Sequence, residues 1–422
     1  MKGSFFPSSA GNDMKKKITS IVLSFILILS LTGCGMMADA FNDIFGDNVE
    51  TPYTVGADEE SVTGEELDQY ESVPDIVMVE SGRDQEGLYY YDLLSDDEKV
   101  IYSQILYILQ GMMEDVSIST LDENVLEKVF GYVLNDHPEL FYVDGYNYTR
   151  YTVGNIPQKM TFSGTYNMSK DEVNKHVERV NAYISEFSEN LKNNIDKVDD
   201  YNIIKFVYEY IILNTDYDES AEHNQSIVSV MENGRSVCSG YSKTAQLLLN
   251  SCGISTTMVL GRVKDGESHS WNLVLADGKY YYMDVTWGDS SYTLREDTGD
   301  FKNSLPPVNY NYMLMTSDLV RSSHDFDHPE LFPECVSMED NYFVREGLYF
   351  TAVDEGMLWQ AFNNAYVKEK EYIMIRMDNA DIYAKMRSFL LDDQKIFDYI
   401  ISREGTVSYA ENPEQLYMIF WL

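Results

Sequence analysis

The sequence feature that most constrains the fold is the dipeptide Asp277-Gly278. It lies between two runs rich in β-branched and aromatic residues, 269–275 and 280–287. An Asp-Gly pair between such runs is a strong signal for a two-residue turn that joins antiparallel strands. We therefore predict a hairpin in which Ala276 pairs with Lys279. The register of every residue further along both strands follows from that pair.

This register brings two polar side chains together on an otherwise apolar face. It sets His269 opposite Thr286 and Trp271 opposite Asp284. His269 and Asp284 are then diagonal neighbours, roughly 7–8 Å apart at the backbone, and their side chains can bridge that gap. A carboxylate on an apolar strand face needs such a partner. We expect the face that carries Trp271 and Leu273 to receive the helix described next.

A single cysteine precedes a run with helical spacing, GRSVCSGYSKTAQLLLNSCG. Cys238 lies in the first turn, where unpaired N–H groups and the helix dipole favour a thiolate. Gly253 is placed to end the helix. We expect this helix to bury one apolar stripe, formed by Tyr241, Ala245, Leu248, Leu249 and Cys252.

Cys238, His269 and Asp284 form a candidate nucleophilic triad. Cys238 would attack an acyl carbon, His269 would accept and return its proton, and Asp284 would orient the ring. The Cys238 N–H would supply one oxyanion donor, whereas the second is left open, with Tyr217 as a guess. Cys238 and His269, each taken alone, have a structural explanation as a buried or satisfied side chain, whereas Asp284 on an apolar face needs a partner. A zinc site formed by the same three residues is a further alternative.

Three blocks of the chain, SVCSGYSKTAQLLLNSCGI, HSWNLV and YYMDVTW, resemble the transglutaminase-like family in that order. The stretch NYNYMLMTSDLVRSSHDFDHPELFPEC resembles the tail of the family core. The resemblance implies a papain-like α+β fold, with a Cys-bearing helix packed on an antiparallel sheet. It also implies acyl chemistry on amides: crosslinking, deamidation or peptide cleavage. Ser236 departs from the family pattern, which commonly has glycine at that position.

The N-terminal segment 1–34 has the pattern of a secretory leader. A basic stretch ending at Lys17 precedes an apolar run from Ile18 to Leu31, which is short for a membrane span. Gly33-Cys34 then resembles the lipobox of bacterial lipoproteins, in which the cysteine is lipidated. A plain anchor helix or an ordinary cleaved signal are the alternatives. The pattern predicts an extracytoplasmic protein held to the bacterial cell membrane by lipid at Cys34.

Composition, periodicity and the resemblance to the transglutaminase-like family divide the rest of the chain into four parts. Residues 35–86 are acidic and poor in aromatics, which predicts a flexible tether. We predict an N-terminal α+β domain at 87–168, a transglutaminase-like core at 169–335 and a C-terminal α/β accessory module at 336–422. Strands are predicted at Tyr342–Ala352, Tyr372–Met377 and Leu416–Trp421 in the last of these.

Charge and the remaining cysteines and histidines limit the partners. The formal net charge of −39 argues against nucleic acid. Cys252 and Cys335 could form one bridge or remain free thiols. His324 and His328 are interpreted as structural residues in a polar loop. Residues 327–332 repeat the hexapeptide of 136–141, and a turn before an apolar anchor explains each copy.

The sequence therefore predicts a membrane-anchored cysteine enzyme that acts on amide bonds of proteins or wall peptides through a thioester. Hydrolysis is slightly favoured over crosslinking, because no calcium loop is visible. No cofactor or metal is predicted. The expected partners are a protein or peptide substrate and the membrane, and the oligomeric state is left open. The alternative is a non-enzymatic envelope lipoprotein that uses the same fold to bind peptide or glycan.

Overall fold

The computed structural model describes residues 17–21, 53–64, 66–74, 82–195, 197–264, 266–289, 305–401 and 405–422. The chain forms two compact units, one of residues 29–341 and one of residues 1–28 with 342–422. Helices account for 44% and strands for 25% of the structure, which confirms the predicted α+β class. Each unit is described separately below.

Most helices begin at a residue that can cap them. Ser95 and Ser169 form capping boxes with Glu98 and Glu172. The helices are Tyr89–Asp92, Asp96–Gly111, Glu123–Asp136, Lys170–Asn194, Asp200–Asn214, Ile227–Asn233, Cys238–Ser251, Val285–Gly288, Ser317–Arg321, Tyr342–Arg345, Glu355–Val367 and Ala380–Arg387. Shorter 3-10 turns are Glu66–Gln69, Tyr310–Tyr312, Pro329–Leu331 and Lys395–Asp398, and Ser388–Asp392 is a π turn.

The strands of the described residues form four sheets. One contains Thr54–Ser61, Val143–Val153, Ile156–Tyr166 and Val116–Ile118, in that spatial order. A second, here called the core sheet, contains Lys279–Met283, Ser268–Ala276, Thr256–Val263 and His324–Phe326. Asp216–Tyr217 and Arg235–Ser236 form a small parallel pair. The fourth sheet contains Lys17–Ile21, Thr406–Asn412, Tyr417–Trp421, Tyr372–Met377 and Tyr349–Phe350.

The predicted hairpin of the core sheet is confirmed, but its second strand is shorter than expected. Ala276 pairs with Lys279, and the register continues to Asn272 opposite Met283. The chain then leaves the strand, since Asp284 caps the helix Val285–Gly288 by accepting a hydrogen bond from the Trp287 N–H. A side-chain cap satisfies a free helical donor, which a continuing strand would not present. Because of this bend, His269 and Asp284 are in direct side-chain contact and are not diagonal neighbours on two paired strands.

The helix Cys238–Ser251, here called the nucleophile helix, packs on the opposite face of the core sheet from the predicted one. Ser242 bonds to Ser270 through their hydroxyls at 2.9 Å, and the Asn272 amide donates to the Ser242 carbonyl at 2.9 Å. Since side chains alternate along a strand, Ser270 and Asn272 point away from Trp271 and Leu273. The face with Trp271 instead forms a core cluster with Val259, Val263, Leu273, Tyr282, Met315, Val320 and Cys335. Polar residues on the helix-facing side hid this surface from a hydrophobicity pattern.

The prediction of a flexible tether over 35–86 differs from the structure at Thr54–Ser61. This strand pairs in parallel with Val143–Val153, although nearly all of its side chains are exposed. Backbone hydrogen bonds therefore hold it, and the ring of Tyr53 packs on Phe130 with centroids 4.8 Å apart. Amino-acid composition carries no information about backbone pairing, and for this reason the acidic, aromatic-poor composition of residues 35–86 indicated a tether.

Both copies of the repeated hexapeptide contact the short helix Tyr89–Asp92. Asp136, in the first copy, accepts hydrogen bonds from the N–H groups of Tyr90 and Tyr91 and from the Tyr102 hydroxyl. The Leu331 carbonyl, in the second copy, accepts from the Tyr89 hydroxyl at 2.6 Å. The repeat thus does more than form two turns, because both copies form hydrogen bonds to one helix.

Direct hydrogen bonds join the predicted N-terminal domain to the predicted core. The Tyr90 hydroxyl donates to the Met258 carbonyl at 2.9 Å, in the core sheet. The Gln246 amide, on the nucleophile helix, donates to the Asn135 carbonyl at 2.8 Å. These contacts lie within the single compact unit of residues 29–341.

The C-terminal unit has the mixed helices and sheet predicted for it, with two differences. Tyr342–Arg345 is a helix, and only Tyr349–Phe350 is a strand, because Gly347 at φ +70° ends the helix before the strand begins. The strand Thr406–Asn412 was not anticipated. It pairs antiparallel with Tyr417–Trp421 and parallel with Lys17–Ile21.

The predicted leader is largely beyond the described residues. Cys34 lies outside them, and of segment 1–34 only Lys17–Ile21 is described. No helix in the described part of the chain has the length and apolar character of a membrane span. Cys238, Cys252 and Cys335 are all free thiols, which resolves the open question of a Cys252–Cys335 bridge.

Candidate active site

Cys238 is the first residue of the nucleophile helix, directly after the cap residue Val237. The segment before it is held by the turn at 218–226. The Asn224 carbonyl accepts hydrogen bonds from the Val237 N–H at 3.2 Å and from the Ser236 hydroxyl at 2.6 Å. Cys238 exposes 9% of its surface and lies at the end of the helix that favours an anion.

Ser236, the departure from the family pattern, fills the space above Gly240. A Cβ on Gly240 would overlap the Ser236 hydroxyl and would lie 3.0 Å from the Ser226 carbonyl oxygen. The serine therefore stabilises the turn that leads into Cys238, and it leaves the thiol itself in place.

The thiol of Cys238 contacts His269, the histidine that the hairpin supplies. Burial raises the pKa of Cys238, but a hydrogen bond to His269 and the charge of that ring outweigh it, with a smaller contribution from Ser270. The pKa of the thiol therefore lies below its ordinary value. A lowered pKa increases the thiolate fraction, which is the nucleophilic form.

His269 is held by a buried carboxylate. Its Nε2 lies 2.8 Å from Oδ2 of Asp284, which is fully buried. Burial lowers the pKa of His269, but the charge and hydrogen bond of Asp284, followed by those of Cys238, raise it to about 10. Since Nε2 faces Asp284, the Nδ1 side of the ring is left for the thiol. The three predicted residues therefore meet in one place.

Sequence reasoning missed a fourth residue, His324. The prediction of a polar loop is wrong at this position, because His324 lies in the strand His324–Phe326 and is completely buried. Its Nε2 lies 3.0 Å from the same Oδ2 of Asp284. A short strand of polar and aromatic residues gives no clear alternation, so only the proximity of its neighbours in the fold identifies it. His328 is exposed and contacts Glu330.

Asp284 accepts three hydrogen bonds in this arrangement. Oδ2 receives His269 and His324, and Oδ1 receives the Trp287 N–H at 3.0 Å. Burial raises the pKa of the carboxyl, yet the charge of His269 and the bonds from both histidines hold it well below its usual range. Burying a charge is tolerated when it is paired and hydrogen-bonded in this way.

The two histidines differ in charge although they share one oxygen. Burial lowers the pKa of His324, and this outweighs the attraction of Asp284. His324 is therefore neutral at pH 7, whereas the His269 ring carries a second proton and a positive charge. Aromatic rings surround the pair: Trp287 lies 4.8 Å from His324 and 6.0 Å from His269, centroid to centroid.

The same groups are the only set of possible metal ligands found among the described residues. Ligand atoms of His269, Asp284 and His324 lie within 4.8 Å of one another. This set differs from the zinc alternative considered from sequence, since it holds His324 in place of Cys238. The two Nε2–H groups already donate to Oδ2, so hydrogen bonding accounts for the clustering.

Tyr217, guessed as an oxyanion donor, lies beside the segment that leads to the nucleophile. It pairs with Ser236, two residues before Cys238. Its ring lies 6.4 Å from that of Tyr241, on the nucleophile helix. Its position is compatible with the guess, which stays a prediction.

Comparison with known proteins finds a match to one family model. Residues 189–285, which include Cys238, His269 and Asp284, match the model of the Transglutaminase-like superfamily. The match confirms the predicted transglutaminase-like domain, within a narrower span than the predicted 169–335. The search of curated proteins returned no similar sequence.

Solved structures show only distant likeness. A crystal structure of a TGase is 13% identical, with a TM-score of 0.25, over 38% of this chain and 55% of that one. A structure from Cytophaga hutchinsonii described as a "Putative Cysteine Protease" is 13% identical, with a TM-score of 0.22, over 32% of this chain and 55% of that one. The chain thus spans about half the length of each. Scores this low carry no argument about activity.

Proposed function

We propose that this protein is a cysteine enzyme that cleaves or transfers acyl groups of amides, with Cys238 as nucleophile, His269 as general acid–base and Asp284 as the group that orients it. The observation that carries the proposal is the chain of contacts from thiol to imidazole to buried carboxylate. That chain matches the roles that nucleophilic catalysis requires.

The reaction follows from the protonation states. The Cys238 thiolate attacks the amide carbonyl, a C–S bond forms, and the C–N bond breaks as His269 gives its proton to the leaving amine. In the second half, His269 removes a proton from water or an acceptor amine, which attacks the thioester and releases the thiolate. The Cys238 N–H, at a helix N-terminus, supports the oxyanion in both steps.

Hydrolysis is the outcome we favour, on substrates that are proteins or wall peptides. The two outcomes share one thioester and differ only in the acceptor. Incubation of envelope proteins and wall peptides with wild-type enzyme, followed by mass spectrometry, separates them. A mass gain of one water per cleaved bond supports hydrolysis, and loss of ammonia with joined peptides supports crosslinking.

The reactivity of the Cys238 thiol is tested against Cys252, the residue that caps the other end of the same helix. Iodoacetamide labelling near pH 6 should modify Cys238 much faster than Cys252, whose pKa burial raises. The Cys238→Ala variant should lose that fast label and the activity on peptides, whereas Cys252→Ala should keep both. Equal labelling rates at the two cysteines would contradict the proposal.

A non-enzymatic role is the second candidate, and the low exposure of the site favours it. Cys238, His269 and Asp284 expose only 9%, 6% and 0% of their surfaces. A protein that only binds peptide or glycan would retain cellular function as Cys238→Ala. Loss of function in that variant, with unchanged folding, would exclude this candidate.

We also propose that the protein is held to the outer face of the bacterial cell membrane through lipid on Cys34. The basic stretch, apolar run and Gly33-Cys34 support this. The Cys34→Ser variant should appear in the soluble fraction, while the wild-type protein stays with membranes. Equal partition of the two would refute the anchor.

A further inference from the structure

His324 is fully buried beside the triad, and both of its ring nitrogens have a partner. Nε2 lies 3.0 Å from Oδ2 of Asp284, and Nδ1 lies 2.8 Å from the Ser323 hydroxyl. The strand that carries it pairs with the core sheet, with His324 opposite Val263. Its position is therefore fixed by the same sheet that positions His269.

The hydrogen-bond partners define the protonation of this ring. A carboxylate oxygen accepts only, so Nε2 carries the proton and donates to Asp284. The rings of Trp271 and Trp287, whose centroids each lie 4.8 Å from the His324 ring, contribute to its burial, and burial disfavours a second proton on the ring. In the neutral ring Nδ1 is an acceptor, to which the Ser323 hydroxyl can donate. The charged groups that face His324 are Asp284 and His269.

The geometry at Asp284 shows what this donor adds. Oδ1 is fixed by the Trp287 N–H, but Oδ2 is the atom that holds His269. A carboxylate fixed at one oxygen can still turn about its own bond. A second donor on Oδ2 restricts that rotation and keeps the oxygen where the His269 ring needs it.

We propose that His324 is a positioning residue of the active site, which holds Oδ2 of Asp284 so that His269 stays aligned with Cys238 and keeps its proton. The inference rests on the proposed function, because it gives His324 a role only through that triad. The neutral state of the His324 ring matters here. An uncharged donor orders the carboxylate of Asp284 and does not compete with His269 for the negative charge of that carboxylate.

The test compares variants that keep or remove the donor. His324→Gln places an amide N–H near the position of Nε2, whereas His324→Met has similar volume and no donor. The readout is the pH dependence of Cys238 alkylation, quantified at that cysteine by mass spectrometry. We expect His324→Met to raise the apparent pKa of Cys238 by about one unit, so that alkylation near pH 6 slows about tenfold. His324→Gln should stay within about threefold of wild type.

A packing control separates positioning from stability. Val320 is fully buried in the same core cluster and does not contact Asp284 through a polar atom. Val320→Ala should lower the melting temperature and leave the apparent pKa of Cys238 unchanged. A merely structural His324 would behave in the same way in both of its variants.

The outcomes are distinct for the two proposals. If wild-type Cys238 shows an ordinary pKa, the proposed function fails. If the wild-type pKa is lowered and His324→Met leaves it unchanged, or if the Gln and Met variants are equally impaired, only the role of His324 is refuted. A circular dichroism melt of each variant establishes that the folded protein was measured.

Discussion

Asp284→Asn is the substitution that most directly tests how the site is charged. The asparagine keeps the size of the side chain and can still accept one hydrogen bond, but it removes the negative charge beside His269. In the wild-type protein that charge is the largest influence that raises the pKa of His269, against the opposing effect of burial. Without it, a buried imidazolium is no longer favoured.

The magnitude follows from the shift at His269. Its pKa rises from 6.5 to about 10, and a change of this size corresponds to roughly 5 kcal/mol at 1.36 kcal/mol per unit. Asp284 is the larger of the two influences that raise the pKa, ahead of Cys238, and burial opposes both. The population of the thiolate–imidazolium pair should fall on the order of a hundredfold.

Cys238 alkylation as a function of pH measures this change. Since the folded-state pKa of the thiol is lowered, wild-type alkylation should stay fast as the pH falls through about 8.5, the ordinary value, and decline only below the folded-state pKa. In Asp284→Asn the decline should begin near the ordinary value. The rate at pH 6.5 should therefore drop about a hundredfold.

Asp289 offers a matched control, because it follows the short helix Val285–Gly288 that Asp284 precedes. It is also buried, and it accepts a hydrogen bond from the Tyr241 hydroxyl at 2.9 Å. Asp289→Asn removes an equal charge without touching His269, so its alkylation rate should change less than about tenfold, the rate change that corresponds to one pKa unit. An Asp284→Asn protein that is folded and reacts within threefold of wild type would refute the charge assignment.

Three further predictions concern stability, each measured by urea unfolding. Asp136→Ala leaves the N–H groups of Tyr90 and Tyr91 unpaired in the interior and should lower the free energy of unfolding by at least about 2 kcal/mol. Asp327→Ala, in the half-exposed second hexapeptide copy, should lower it by less than about 0.5 kcal/mol. Equal losses in the two variants would contradict the assigned contacts. Gly240→Ala should cost about 2 kcal/mol by overpacking, and Ser236→Gly in the same chain should recover part of that cost, so additive effects would count against the clash. Tyr90→Phe removes one buried hydroxyl donor and should cost about 1 kcal/mol, an effect that an unchanged midpoint would disprove.

Local signals in the sequence were sufficient to predict that Cys238, His269 and Asp284 meet. The turn at Asp277-Gly278 determines the strand register, and the helix begins at Cys238 as the spacing predicts. Long-range features could not be read in the same way. The docking face of the nucleophile helix depends on Ser270 and Asn272, whose polar character hides their burial, and His324 is brought to Asp284 by a strand of only three residues. Pairing of Thr54–Ser61 depends on backbone groups, which every sequence has alike.

The hydrogen bonds that cross the predicted domain boundary limit how far the protein can be truncated. A fragment trimmed to residues 189–285 would include all three triad residues but would lack His324. It would also lack Asn135, the acceptor of Gln246, and Tyr90, the donor to Met258. We expect the smallest expressible piece that keeps this site to extend from about residue 82 to residue 341, the C-terminal limit of the larger compact unit.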